Sequence, residues 1–115
     1  MRRVPNRPLS GYRFMWLLVM FDLPVGTKTE RRGAAKFRHW LLDQGYEMSQ
    51  FSIYMRFCAG KEQIERHVRG IEKARPPKGS VHALAVTDRQ FAHMAVFRDR
   101  VRGRGRGAPN QLELF

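Results

Sequence analysis

Phe14-Met15-Trp16-Leu17-Leu18-Val19-Met20-Phe21-Asp22 is the stretch on which the fold turns. Its first eight residues form the longest apolar run in the chain. The run is too continuous for a strand with one wet face and too short to cross a membrane. It therefore reads as a buried central strand over about 14–22. It ends on a carboxylate, and such a group at the mouth of a buried strand has to be paired, hydrogen-bonded or bound to a cation. The loop Leu23-Pro24-Val25-Gly26-Thr27 follows, and then a helical stretch that opens with Lys28, Arg31 and Arg32. Positive side chains at a helix start oppose the macrodipole, which favours anions there. The combination marks a place for phosphate, with a metal ion at Asp22. The plainer alternative is an Asp22 that caps a turn among solvated arginines.

Working outward, a helix is expected over roughly 29–44, with Thr29 as N-cap and Gly45 as its stop. Its inward stripe is Ala34, Phe37, Trp40 and Leu41. Tyr46 to Cys58 reads as a strand pair or one bent strand, with Ile53 and Met55 alternating against Tyr54 and Arg56. A second helix is expected over 61–74, with Ile64, Val68 and Ile71 facing inward. Arg75-Pro76-Pro77-Lys78-Gly79 breaks the chain. Val81 to Thr87 alternates as a strand, Asp88 falls in a turn after it, and Ala92 to Phe97 reads as one further strand. The order is that of an α+β, ferredoxin-like βαββαβ sandwich with an additional C-terminal strand. Three segments result: a basic, flexible N-terminal extension at 1–12, the domain at 13–97, and an Arg/Gly-rich tail with a C-terminal docking segment at 98–115.

The chain has 115 residues and a formal net charge of +12, with a pI of about 11.2. That balance points to a polyanion partner. Lys28, Lys36, Lys61, Lys73 and Lys78 are the only lysines among 22 basic side chains. Arginine forks match phosphate oxygens, so the bias favours nucleic acid. A single cysteine, Cys58, excludes a disulfide framework or a thiolate metal cluster within one chain, and it reads as a small apolar residue at a strand end. His39, His67, His82 and His93 are too scattered for a zinc site. No phosphate-cradling glycine loop and no Ser/His/Asp arrangement is legible. The lack of a secretory signal or an apolar span suggests the cytoplasm and no membrane.

One carboxylate holds a divalent cation poorly. A two-fold dimer changes this, because an isologous interface can bring Asp22 to face its own copy. Two carboxylates with waters and a substrate phosphate make an ordinary Mg²⁺ (or Mn²⁺) arrangement. The expectation is thus a homodimer with Asp22 of both copies as metal ligand and catalytic group. The candidate nucleic-acid contacts are Lys28, Arg31, Arg32, Arg56, Arg98, Arg100, Arg102, Arg104 and Arg106.

Three segments carry a resemblance: Phe21-Asp22-Leu23-Pro24, then Thr29-Glu30-Arg31-Arg32, then Gln50-Phe51-Ser52-Ile53-Tyr54. In that order and spacing, joined by Val86-Thr87-Asp88-Arg89-Gln90-Phe91, they resemble the small CRISPR-associated proteins of the Cas-two family over about residues 13–97. The resemblance implies a ferredoxin-like homodimer that bridges two dimers of the Cas-one integrase. It implies a basic surface for the duplex DNA captured as a new spacer. It also implies a Mg²⁺-dependent endonuclease activity on RNA or DNA, with Asp22 as the metal ligand, and a Tyr54 that packs rather than reacts. The longer basic N-terminus and the arginine–glycine tail depart from the family's minimal pattern. Two competing readings are a toxin-type endoribonuclease of the virulence-associated D kind and a non-catalytic RNA-binding ferredoxin-like module. The latter lacks the basic-Gly-aromatic-Gly-aromatic signature.

Gln111-Leu112-Glu113-Leu114-Phe115 is a short apolar patch that a disordered tail does not need. Leu112, Leu114 and Phe115 are the candidate docking residues, for a neighbouring sheet or the integrase. The same pentapeptide also resembles the short peptide that binds the bacterial sliding clamp.

Overall fold

The computed structural model describes residues 13–99 and the backbone of Glu113–Leu114. The elements are β1 Met15–Asp22, α1 Lys28–Asp43, β2 Glu47–Gln50, β3 Ile53–Cys58, α2 Lys61–Ala74, β4 Ser80–Thr87, α3 Asp88–Ala92, β5 Ala95–Val96 and β6 Glu113–Leu114. The first four strands make one antiparallel sheet in the order β2-β3-β1-β4. This is the expected ferredoxin-like plan, with β1 in the interior of the sheet.

β1 is apolar on both faces because the two faces meet different surroundings. Met15, Leu17, Val19 and Phe21 are buried, in a core with Phe37 and Leu41 of α1, Tyr54 and Cys58 of β3, and Ile64 and Ile71 of α2. Trp16, Leu18 and Met20 point to the opposite face and are only half-buried. Their neighbours across the ladders are Phe57, Met55 and Ile53 on β3, and Val86, Leu84 and His82 on β4. Leu84 is 51% exposed and Phe57 41%. Among the described residues, that face of the sheet is therefore apolar and carries no covering layer beyond Phe91 of α3 at one end. At its lower end an aromatic ladder forms, in which Trp16 stacks on Phe91 at 4.2 Å and meets Phe57 edge-on at 5.5 Å. Among the described residues, no strand pairs with the outer edge of β4.

Four local expectations need correction. Thr27, not Thr29, caps α1: its Oγ1 accepts from Glu30 N–H at 3.1 Å, and Glu30 Oε1 accepts from Thr27 N–H at 3.1 Å. The reciprocal box needs an acid three residues after the cap, which only Thr27 has. Val68 is 40% exposed rather than inward. It lies about 60° round the helix from Ile71, on the flank of a stripe centred on Ile64 and Ile71. Asp88 begins a short helix rather than a turn, because Thr87 and Gln90 form a second capping box there. That helix takes up the start of the expected 92–97 strand, leaving Ala95–Val96, which pairs antiparallel with Glu113–Leu114. The expected stop of α1 holds: Gly45 takes φ +92° just past the C-cap Gln44. Among the described residues, no helix is long and apolar enough to cross a membrane.

Candidate functional site

Asp22 is exposed at the last position of β1, opposite Ser80 of β4. It shares strand parity with Trp16, Leu18 and Met20, which sets it at the upper end of the uncovered sheet face. Its backbone is held from two sides. Phe21 N–H donates to Ser52 O at 3.1 Å, tying the strand end to the β2–β3 turn. On the other side, Gly79 packs so close that a Cβ there would stand 2.6 Å from Asp22 O. Gly79 also has φ +89°, a conformation that side-chain-bearing residues rarely adopt.

The cations of the first helix collect at this same end. Lys28 is the first residue of α1 and is exposed, as is Arg32. Arg31 folds back on the entering loop, its Nη1 donating to Val25 O at 3.1 Å. Lys78, beside Gly79, adds a cation that the sequence reading passed over. Its signal in the sequence is the Pro76-Pro77-Lys78-Gly79 stretch, which by residue type marks only a break in the chain. A groove of about 400 Å³ opens beside it, lined among others by Leu23, Pro24, Thr27, Pro76, Pro77 and Lys78.

Arg56 does not join this group. It sits on β3 opposite Leu17, and its Nε donates to Gln44 O at 2.8 Å and its Nη1 to Phe57 O at 2.7 Å. It thus latches the C-terminal end of α1 to the sheet, a helix length of about 24 Å from Lys28. Arg98 is exposed beyond β5. Arg100, Arg102, Arg104 and Arg106 lie outside the described residues, as do Leu112 and Phe115. Leu114 falls in β6, where its backbone is paired with Ala95.

No group of three or more His, Cys, Asp or Glu side chains converges among the described residues. Asp22 of one chain is by itself too poor a donor set for a hard divalent cation, which takes six or more oxygens. Tyr54 is 1% exposed and stacks on Phe21 at 5.7 Å, so it packs as expected. Cys58 is fully buried, and burial pushes its thiol up despite the Arg56 contact, which suits a structural residue. Tyr46 donates from its hydroxyl to His67 Nδ1, 3.2 Å away, when that nitrogen is unprotonated. Burial raises Tyr46 and lowers His67, and Arg56 and Arg66 lower His67 further. This pair pins the β2 entry to α2 and faces no groove described above.

Fold and site together define a small ferredoxin-like α+β protein with a lone strand-end carboxylate and a cationic rim. The family model described as CRISPR associated protein Cas2 matches residues 15–94, and the chain belongs to that family, the Cas-two family of the sequence resemblance. The chain is 49% identical over 107 residues to a CRISPR-associated endoribonuclease Cas2 of Paracidovorax avenae, covering 93% of this chain and 99% of that protein. It is 44% identical to the protein of the same name from Flavobacterium psychrophilum, covering 93% of each. A third so named, from Parvibaculum lavamentivorans, is 41% identical over 101 residues, covering 88% of this chain and all of that protein.

Proposed function

We propose that this chain acts as a homodimer in CRISPR spacer acquisition, as a nucleic-acid-binding scaffold between integrase dimers of the Cas-one kind. In this reading it retains a metal-dependent phosphodiesterase activity at Asp22. One observation supports the dimer: β1 is apolar on both faces, and among the described residues the helical layer covers only one of them. A contiguous apolar face with exposed Leu84 and Phe57 is what an interaction surface presents. Stacking two such faces about a two-fold axis supplies the missing layer and makes an ordinary sheet-on-sheet core. Asp22 lies at the end of that face, so the same axis that covers the apolar residues can bring the two carboxylates together.

The donor set then fits Mg²⁺ or Mn²⁺, held by Asp22 of both copies with water and substrate oxygens. The bound cation would supply an activated water and charge stabilisation for phosphodiester hydrolysis. The chain's own contribution is placement. Gly79 and Ser52 fix the strand end, and Lys28, Arg32 and Lys78 at the same end take the flanking phosphates. The relatives named as endoribonucleases support RNA as one cleaved substrate. The net charge of +12 supports duplex DNA as the scaffolded ligand. Leu112, Leu114 and Phe115 serve docking on the integrase.

End-labelled single-stranded RNA and duplex DNA are the test substrates, with Mg²⁺, Mn²⁺ or EDTA, for wild type and Asp22→Ala. The reading expects cleavage by wild type that EDTA and Asp22→Ala both abolish, with duplex binding retained. Cleavage that survives Asp22→Ala would sink the carboxylate assignment. A mass measurement that finds only monomer at micromolar concentration would sink the shared site.

A further inference from the structure

We infer that the groove between α1 and α2, on the outer side of the helical layer, is a stacking site for one nucleotide of a single-stranded nucleic acid. Trp40 lies under the base, and Lys36 and Lys73 take the flanking phosphates. The inference rests on the nucleic-acid reading above but uses none of its residues.

The groove measures about 420 Å³ and is lined by Lys36, Trp40, Gly70, Lys73 and Ala74. It exists because position 70 has no side chain: a Cβ there would stand 3.3 Å from two carbons of the Trp40 ring. The indole plane is set from below by Phe37, parallel to within 11° at 6.2 Å. Trp40 packs against the core yet remains partly exposed. Lys36 stands one turn before Trp40 on α1, and Lys73 about one turn after Gly70 on α2. Both ammonium groups are exposed.

A fixed aromatic plane between two cations is the chemistry of single-strand binding, in which bases stack and phosphates are tracked electrostatically. The lining offers an aromatic plane, two cations and small residues, and no acceptor side chain, so the site is sequence-tolerant. A duplex hides its base faces by internal stacking and gives such a site only its ends. The groove lies on the side of the sheet opposite the uncovered apolar face. Dimerisation through that face leaves both copies of the groove open.

The test is photo-cross-linking of the full chain to eight-nucleotide strands carrying 5-iodouracil, one RNA and one DNA, with mapping by peptide mass spectrometry. The expected result is a cross-link on the peptide that holds Trp40. Binding titrations follow for Trp40→Leu, which keeps apolar bulk, and for the paired surface change Lys36→Gln with Lys73→Gln. Each should weaken single-strand binding by about tenfold or more, while duplex affinity stays near wild type. A cross-link in only one of the two strands identifies the sugar that the groove accepts. Cross-links confined to other peptides, with both variants binding as wild type does, overturn the inference. If wild type binds no nucleic acid in any form, the reading beneath it fails and the groove assignment falls too. If binding occurs but bypasses the groove, only the groove assignment falls.

Discussion

Replacing Gly79 by alanine tests the local reasoning most directly, because two other glycines supply matched controls. Gly33 lies inside α1, and a Cβ there meets nothing within 4 Å. Gly33→Ala should therefore stabilise by about 0.5–1 kcal/mol, the ordinary gain from filling an open helical position. Gly60 caps α2 at φ +99° and ψ 170°, also with nothing within 4 Å. Gly60→Ala should cost roughly 1–3 kcal/mol of backbone strain alone. Gly79 carries the same kind of strain at φ +89°, and its new Cβ would lie 2.6 Å from Asp22 O and 3.0 Å from side-chain carbons of both Leu23 and Pro24. Backbone cannot yield as a side-chain tip can, so an overpacking cost of about 1–3 kcal/mol adds to the strain. The expected total is about 2–6 kcal/mol, a large part of the stability of a domain this size. Thermal unfolding of the three variants at one protein concentration reads this out, with a fall of roughly 8–24 °C for Gly79→Ala and a small rise for Gly33→Ala. Because the displaced atom belongs to Asp22, cleavage should fall even where Gly79→Ala is still folded. A Gly79→Ala loss within about 1 kcal/mol of Gly60→Ala would refute the close-approach argument.

Leu84→Arg, at the middle of the uncovered face, should convert the dimer to monomer in light scattering, and an unchanged mass would remove that face from the interface. Arg56→Met should cost about 1–2 kcal/mol by leaving Gln44 O without its donor. The salt slope of DNA binding should stay unchanged, and a slope shallower by about one unit would return Arg56 to the phosphate contacts. His67 is held below its ordinary pKa, so the folded state binds fewer protons than the unfolded chain. Stability from this group is fully present above the unfolded pKa of about 6.5 and is lost as pH falls from there through the lowered folded pKa. His67→Gln should flatten the melting temperature between about pH 7 and 5, and an unaltered slope would refute the assignment. Deleting residues 111–115 should abolish capture of the integrase while leaving the dimer intact. Equal capture by the truncated chain would rule out docking there, and loss of sliding-clamp capture instead would identify that protein as the partner.

Much of the fold was written in periodicity. The run from Phe14 to Phe21 announced an interior strand, and residues 61–74 matched α2 to the residue, because local patterning and burial agree there. The errors fell where two signals compete at short range. Thr27 and Thr29 are both fair caps by residue type, and only the distance to Glu30 separates them. Phe91 and Ala92 carry apolar character that suits a strand or a helix, and the Thr87–Gln90 box decides in favour of the helix. Asp22 stood out because a charge terminating an apolar strand is costly without a partner. Lys78 did not, because its nearness to Asp22 comes from the β1–β4 pairing, a contact between residues more than fifty positions apart. Arg56 reads in the sequence as one more basic residue, and its bonds to Gln44 O and Phe57 O come from the packing of the end of α1 against β3, which no local pattern shows. The Trp40 groove was equally hidden: Trp40 fitted the core stripe of α1, and the gap beside it belongs to a glycine on α2.

The outer edge of β4 has a consequence for a chain that fails to form the proposed dimer. Ser80 to Thr87 offers eight residues whose outer edge no described strand pairs, with no proline and no lysine to discourage another chain. Beside it lies the apolar face that carries Leu84. A variant that cannot pair correctly therefore has a second outlet, strand-by-strand addition of further copies along that edge. Loss of the native partner should show itself as turbidity and insoluble protein, in proportion to how long each unpaired chain survives. In the proposed dimer, assembly would also be the safeguard against that outlet.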